Sequence, residues 1–276
     1  MRGQVWASAY EYLDKAGDAA AHLFAHAEAR AHYARAIEAL DHLDDTLEYR
    51  RMRVDTIIKQ TLASWRADTP EQNLNRLAEA KHFAEEIASG SDASQQDQLR
   101  LARIHFWMGR VHYSRGEMEK AIGLFRQVLP VAQACDDEEL LSIPAGALGQ
   151  TMAVLGHLNE AAGMLTKAAA IFERLTDWTE WIQAKSFLGT AIASMGRYRE
   201  GLQHIEDAFD KAEKLNFLSG VSVSHNCFGY AYLFGGELEK SVQSAQTAIE
   251  VARQSGDRIY VYVGFGISAW AACRKG

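Results

Sequence analysis

Apolar positions recur along this chain with a helical period. Ala161, Leu165 and Ala168 lie 0, 4 and 7 residues along one stretch and share one face of a helix. The same face appears 40 residues earlier as Ala121, Phe125 and Val128. It returns downstream as Gly201, Ile205 and Ala208, then as Ser241, Ala245 and Ala248. Glycines keep the same period of 40 residues, as Gly109, Gly149, Gly189 and Gly229 and again as Gly116, Gly156, Gly196 and Gly236. A period of this length marks tandem two-helix units that stack on their neighbours.

Each unit predicts its own anatomy. A first helix runs through the first glycine and ends at the second, which is free to take the left-handed conformation that closes a helix. In the unit from Ser142 to Trp181 the second helix is expected from about Leu158. The mid-helix glycine costs about 1 kcal/mol against Ala. Its repetition at one register predicts a close crossing with the partner helix. Asp136-Asp137, Thr176-Asp177 and Gly256-Asp257 stand at the joints between units and are expected to cap the following helices, with Asn216-Phe217 the weaker copy. Glu117, Glu119, Glu160, Glu200, Glu237 and Glu239 open the second helices, where they complement the positive end of the helix dipole.

Upstream the pattern is less regular. Ala29, Tyr33 and Ala36 repeat the 0, 4, 7 face, with Gly17 ahead of them, and Ala80, Ala84 and Ile87 repeat it again after a turn at Asp68-Thr69-Pro70. The polar stretch Ala88 to Asp97 reads as a loop of about ten residues between units. The expectation is an all-α chain of about six helix pairs plus a final helix from Arg258 to Arg274. It forms one domain over residues 1–276, irregular in 1–98 and regular in 99–276.

Composition narrows the partners. Lys and Arg number 29 against 36 Asp and Glu, a net charge of -7, which disfavours nucleic acid as the partner. Cys135, Cys227 and Cys273 show no metal or redox spacing, which fits a reducing cytoplasm. No apolar run approaches the roughly 20 residues needed to span a bilayer, and the N-terminus lacks a signal-peptide core. A membrane partner is therefore not expected.

Candidate chemistry is sparse. His22 and His26 have the i, i+4 spacing of two metal ligands but no third at a characteristic distance. His105 and His225, three repeats apart, are expected to pack, as are Trp178 and Trp181. Ser186, Ser194 and Ser224 lack a base at readable spacing, and His225 and Cys227 point in different directions on a helix. No catalytic residue, metal site or cofactor is expected.

The unit resembles the tetratricopeptide repeat (TPR): Gly in the first helix, Gly at the turn, then Ala, a bulky apolar residue and Ala on the second. Units of 40 residues are longer than the usual ~34. The runs Tyr12 to Ala20 (YLDKAGDAA) and Glu28 to Leu40 (EARAHYARAIEAL) are similar to the TPR array that follows the ATPase module of bacterial signal-transduction proteins. Such arrays often stand behind a cyclase, kinase or DNA-binding domain, and no phosphate-loop motif occurs in this chain. The resemblance implies a right-handed superhelical solenoid acting as a regulatory or sensor arm, and a chain that is a fragment of a larger protein.

It also implies a groove lined by first helices, with Arg103, Phe106, Arg110, Tyr113, Gln150, Gln183, Ser186, Thr190, Asn226 and Tyr230 on or near it. The Lys and Asn pattern that clamps chaperone C-termini is absent. A protein or peptide is the expected partner. A small molecule sensed in the superhelix bore and a self-associating scaffold are the alternatives. For the last, Ile259, Tyr262, Phe265, Ile267 and Trp270 form an expected apolar stripe on the final helix, suited to a two-fold homodimer.

Overall fold

The computed structural model describes residues 2–275, which are 85% helical. It divides into two compact units, Met1–Asp137 and Glu138–Gly276. Unit 1 holds α1 (Arg2–His22), α2 (His26–Leu40), α3 (Leu47–Ser64), α4 (Pro70–Ser89), α5 (Gln95–Ser114) and α6 (Met118–Ala134). Unit 2 holds α7 (Glu138–Val154), α8 (Leu158–Arg174), α9 (Trp178–Ser194), α10 (Tyr198–Lys214), α11 (Leu218–Gly235), α12 (Leu238–Ser255) and α13 (Arg258–Lys275). Among the described residues these thirteen helices make six pairs and one unpaired final helix, as the periodicity predicts.

Within each unit every helix packs on the next, and first helices of successive pairs also touch, α3 on α5, α9 on α11 and α11 on α13. The periodic faces are the cores of the pairs. Phe125, Leu165 and Ile205 are fully buried, flanked by buried Ala121, Ala161 and Ala208. The mid-helix glycines sit where these side chains press. A Cβ on Gly109 would come within 2.5 Å of the Phe125 ring, and one on Gly149 within 2.8 Å of Leu165. On Gly189 it would strike the backbone oxygen of Gly201 and lie 2.5 Å from Ile205. The helix-propensity cost of glycine is thus the condition for the crossing.

The turns follow two designs. Gly116, Gly156, Gly196 and Gly236 have φ of 76°, 85°, 86° and 81° and close the first helices in the left-handed conformation. The joints between units correct the capping expectation. Asp136, Thr176 and Asn216 take φ of 52°, 55° and 51°, in the slot where Gly256 has 73°. They end the preceding helix and do not cap the next. The following N–H then reaches back five residues, as in Asp177 to Phe172 O at 2.9 Å and Asp257 to Ala252 O at 2.8 Å, so carbonyls at the helix end are satisfied. Capping falls to the second residue: Asp177 accepts from Glu180 N at 3.1 Å and Asp257 from Tyr260 N at 3.2 Å. Phe217 makes no side-chain cap and is buried.

The expected loop after α4 is also shorter, spanning only 90–94. Ser94 and Asp97 form a reciprocal capping box that starts α5 early.

Candidate functional site

In unit 1 the first helices of three successive pairs present one open face. Tyr10 and Asp14 of α1, Met52, Asp55, Ile58 and Lys59 of α3, and Gln96, Arg100 and Arg103 of α5 line a cleft of about 400 Å³. Gln96, Arg100 and Arg103 lie 0, 4 and 7 residues along α5, one helical face aimed at the cleft.

Charges tie the three helices together. Lys59 donates to Asp14 at 2.7 Å and to Asp18 at 3.0 Å. Arg100 makes a two-pronged contact with Asp55, both bonds at 2.8 Å, and a third bond to Asp97 at 2.9 Å. Arg103 pairs with Asp137 at 3.2 Å. Behind them, Tyr10 and Thr56 share a hydroxyl hydrogen bond of 3.1 Å. Burial disfavours the Lys59 ammonium, but the bonds to Asp14 and Asp18 outweigh it and hold its pKa above the ordinary value. The Asp55 carboxylate does the same for Arg100 against its burial. The cleft is therefore a fixed mosaic of charged donors and acceptors, with Met52 and Ile58 as its apolar part. Such a surface recognises by hydrogen bonds and shape. Among the described residues no three His, Cys, Asp or Glu side chains converge as metal ligands.

Of the residues expected in unit 1, Arg103 lines the cleft. Phe106 is buried, its ring 5.8 Å from Phe125 and 5.1 Å from Trp107. Arg110 is also buried, its guanidinium 4.6 Å above the Trp65 ring. Tyr113 is half-buried. These three lie further along α5, beyond the cleft; Phe106 and Tyr113 are rotated from its face, whereas Arg110 keeps the phase of Arg103 two turns on and packs there against Trp65.

In unit 2 most of the expected residues are mortar between helices. Gln150 is buried. Gln183 is buried and donates to Glu180 at 3.1 Å. The Ser186 and Ser224 hydroxyls meet at 3.2 Å between α9 and α11. Asn226 donates to Ser222 O at 3.2 Å and to Tyr260 O at 3.3 Å, joining α11 to α13. Thr190 is half-buried and donates to Ser186 O at 3.1 Å. Tyr230 is half-buried, stacked on Phe234 at 6.4 Å and edge-on to Trp270 at 6.5 Å. Thr190 and Tyr230 alone of this set stay partly open. His225 packs in the ring contacts of Phe209 and Phe228. Trp178 and Trp181 pack on each other, with Lys211 over Trp178.

On α13, Tyr262, Phe265 and Trp270 are exposed and Ile259 is half-buried. Ile267 corrects the expected stripe. It is fully buried, aimed at Gly229 of α11. It shares the inner face with Tyr260, Gly264 and Ala271, at steps of 4, 7 and 11 residues.

The cleft residues Tyr10, Asp14, Asp55, Lys59 and Arg100 were missed by carrying a register over from a family. A signal was present. Asp14 and Lys59, and Asp55 and Arg100, are 45 residues apart, while Arg51 and Asp97 are 46 apart. Opposite charges separated by one repeat mark neighbouring first helices.

Residues 100–174 match the tetratricopeptide repeat family model. This stretch is tetratricopeptide repeat. The whole chain shares its fold with solved TPR-type structures. One is a Rap protein complexed with competence and sporulation factor, at 17% identity and TM-score 0.68, covering 96% of this chain and 73% of that one. Another is the Rap conjugation gene regulator of plasmid pLS20 with the Phr* peptide, at 17% identity and TM-score 0.67, with the same coverage of 96% and 73%. A third is the signal-transduction ATPase with a TPR sensor from Pyrococcus horikoshii, at 18% identity and TM-score 0.50, covering 89% of this chain and 37% of that one. No curated protein matches the sequence. Among the described residues no helix of this chain is long and apolar enough to cross a membrane.

Proposed function

We propose that this TPR chain is a protein- or peptide-binding module, serving as the regulatory or sensor arm of a cytoplasmic bacterial signalling protein. One observation carries the reading: the cleft on α1, α3 and α5, whose charged groups are already oriented by their own ion pairs. Preorganised donors and acceptors lower the ordering cost of binding a flexible segment. Lys59, Arg100 and Arg103 offer donors to backbone carbonyls or acidic side chains, Asp14 and Asp55 take amides, and Met52 and Ile58 receive an apolar residue. Two Rap structures with this fold, one holding competence and sporulation factor and one the Phr* peptide, support the reading, as does the TPR sensor of the Pyrococcus ATPase. The module acts by recognition and carries no catalytic group or cofactor of its own.

The test is a selection of short peptides on the whole chain, followed by titration against variants. Ile58→Glu and Arg103→Ala should each weaken the selected peptides by about tenfold, equivalent to ~1.4 kcal/mol. Lys211→Glu, on a second helix of unit 2, should leave them unchanged. Peptides that bind all variants equally would refute the cleft as the site. The cleft volume of about 400 Å³ also lies in the range of small-ligand pockets, which favours metabolite sensing as a second reading. Mass spectrometry of small molecules retained by the purified chain and released by Ile58→Glu would decide for it.

A further inference from the structure

The ion pairs of unit 1 set a register across its first helices. Asp14 and Lys59 are 45 residues apart and bonded at 2.7 Å. Asp55 and Arg100 are also 45 apart, bonded at 2.8 Å. A step of 45 residues therefore leads from one first helix to the same level on the next. From Lys59 it leads back to Asp14 on α1, and from Ile58 it leads forward to Arg103 on α5. All four residues line the cleft, so they form one row that runs across the helices. Packed helices lie about 8–10 Å apart, which makes the row roughly 16–20 Å long. An extended chain covers that distance in about five or six residues.

Opposite charges stand at the two ends of the row. At α1, Asp14 and Asp18 share the ammonium of Lys59, at 2.7 and 3.0 Å, which sets two carboxylates against one cation. The Tyr33 hydroxyl donates to Asp18 at 2.8 Å. Burial pushes the Tyr33 pKa up, and the bond to Asp18 and the charges of Asp18 and Asp14 push it further, so the negative field is felt there. At α5, Arg51 and Arg100 balance Asp55 and Asp97, two against two. Arg103 is held less. Among the described residues its one hydrogen bond runs from Nη2 to Asp137, at 3.2 Å, and its side chain is 38% exposed. Its Nε and Nη1 are open to a carboxylate. Half-buried Ile58 lies between the two ends.

Resting on the cleft reading above, we propose that the cleft takes an extended segment laid across α1, α3 and α5. Its basic side chain sits on Asp14 and Asp18, an apolar one on Ile58 and an acidic one on Arg103, the two charges about five or six residues apart. The test selects blocked random octapeptides on the whole chain and on its Arg103→Glu variant. Peptides from the parent should carry opposite charges at that spacing around an apolar residue. Peptides from Arg103→Glu should carry basic residues at both ends. Changing the acid of a parent-selected peptide to Gln should weaken its binding to the parent about tenfold and leave its binding to Arg103→Ala unchanged. A photo-cross-linking residue beside the basic charge should label residues 10–18 of α1, and one beside the acidic charge residues 96–103 of α5. The cross-links need no variant of the chain. Peptides that Ile58→Glu weakens but that show no charge preference, or that label α5 from both ends, overturn the charge order and leave the cleft standing as the site. Peptides indifferent to Ile58→Glu, or no enriched peptide at all, overturn both.

Discussion

Unit 1 and unit 2 join their first helices by different means. In unit 1 most links are charges: Lys59 to Asp14, Arg100 to Asp55, and Arg51 to a fully buried Asp97, with one hydroxyl pair, Tyr10 and Thr56. In unit 2 they are hydroxyls, an amide and backbone carbonyls, as in Ser186 with Ser224 and Asn226 with Tyr260 O. Within the pair α9 and α10 of unit 2 the backbones themselves meet, Gly189 against Gly201. Charged links leave space between helices for a cleft and remain able to exchange partners with a ligand. Close-packed links leave neither. Unit 1 thus keeps an open cleft along its first helices, and unit 2 packs the corresponding helices closely.

The sharpest way to break this contrast is size. Gly189→Leu should destabilise unit 2 by about 3 kcal/mol or more, because the Gly201 backbone cannot yield. Gly229→Ala should be nearly neutral. Its new methyl meets only the Ile267 side chain, at 3.2 Å, and no backbone closer than 3.5 Å, and the helix-propensity gain of about 1 kcal/mol offsets the strain. Thermal melts that rank the two the other way would refute the packing account.

Removing charge should matter next, and in unit 1. Asp97→Asn leaves Arg51 and Arg100 without their shared carboxylate. A cost of about 2 to 3 kcal/mol is expected, discounted because both arginines reach solvent. Denaturant titration followed at Trp65 and Trp107, which lie 5.9 Å apart in unit 1, would measure it.

Acid should separate the units more gently. Burial pushes the Asp97 carboxyl up, but hydrogen bonds from Arg51 and Ser94 outweigh it and hold it well below the ordinary range. Its stabilisation is present above the unfolded value near 4 and is lost as pH falls toward the lower folded value. Asp177 in unit 2 is opposite in sign. Its burial outweighs the N–H bonds from Glu180 and Thr179 and raises its pKa, so its penalty at neutral pH is relieved on acidification. Hydrogen exchange between pH 7 and pH 3 should show α3 and α5 losing protection before α9 and α10. Simultaneous loss would mean that the ionic links do not set the stability of unit 1.

The smallest effect distinguishes surface from core on one helix. Arg103→Ala should change stability by no more than about 0.5 kcal/mol. Arg110, buried over Trp65, should not be replaceable by Glu without unfolding. Similar melts for the two variants would show that Arg110 is not packed on Trp65 as described.

Much of the architecture was legible in the chain because it repeats. The 40-residue glycine period and the 0, 4, 7 faces located the helix pairs, and α8 begins at Leu158 where the pattern places it. The joints were legible only in part, since Asp and Thr serve both as caps and as left-handed residues. Backbone geometry assigns the first of each pair to one role and the second to the other. The site was least legible. Phe106, Ser186 and Asn226 have the composition of a binding face, yet each is buried between helices.

The physical reason lies in the range of the interactions. Helix formation, closure by glycine and core faces depend on neighbours within about one turn or one repeat, so local sequence determined them. Which side of a first helix faces a cleft depends on how far each helix rotates against the next. That rotation is decided by side-chain volumes and charge pairs a full repeat apart, such as Asp55 with Arg100 and Gly229 with Ile267. Only the tertiary structure brings those partners together, and only there do Tyr10, Lys59 and Arg100 share one surface while Ile267 turns inward.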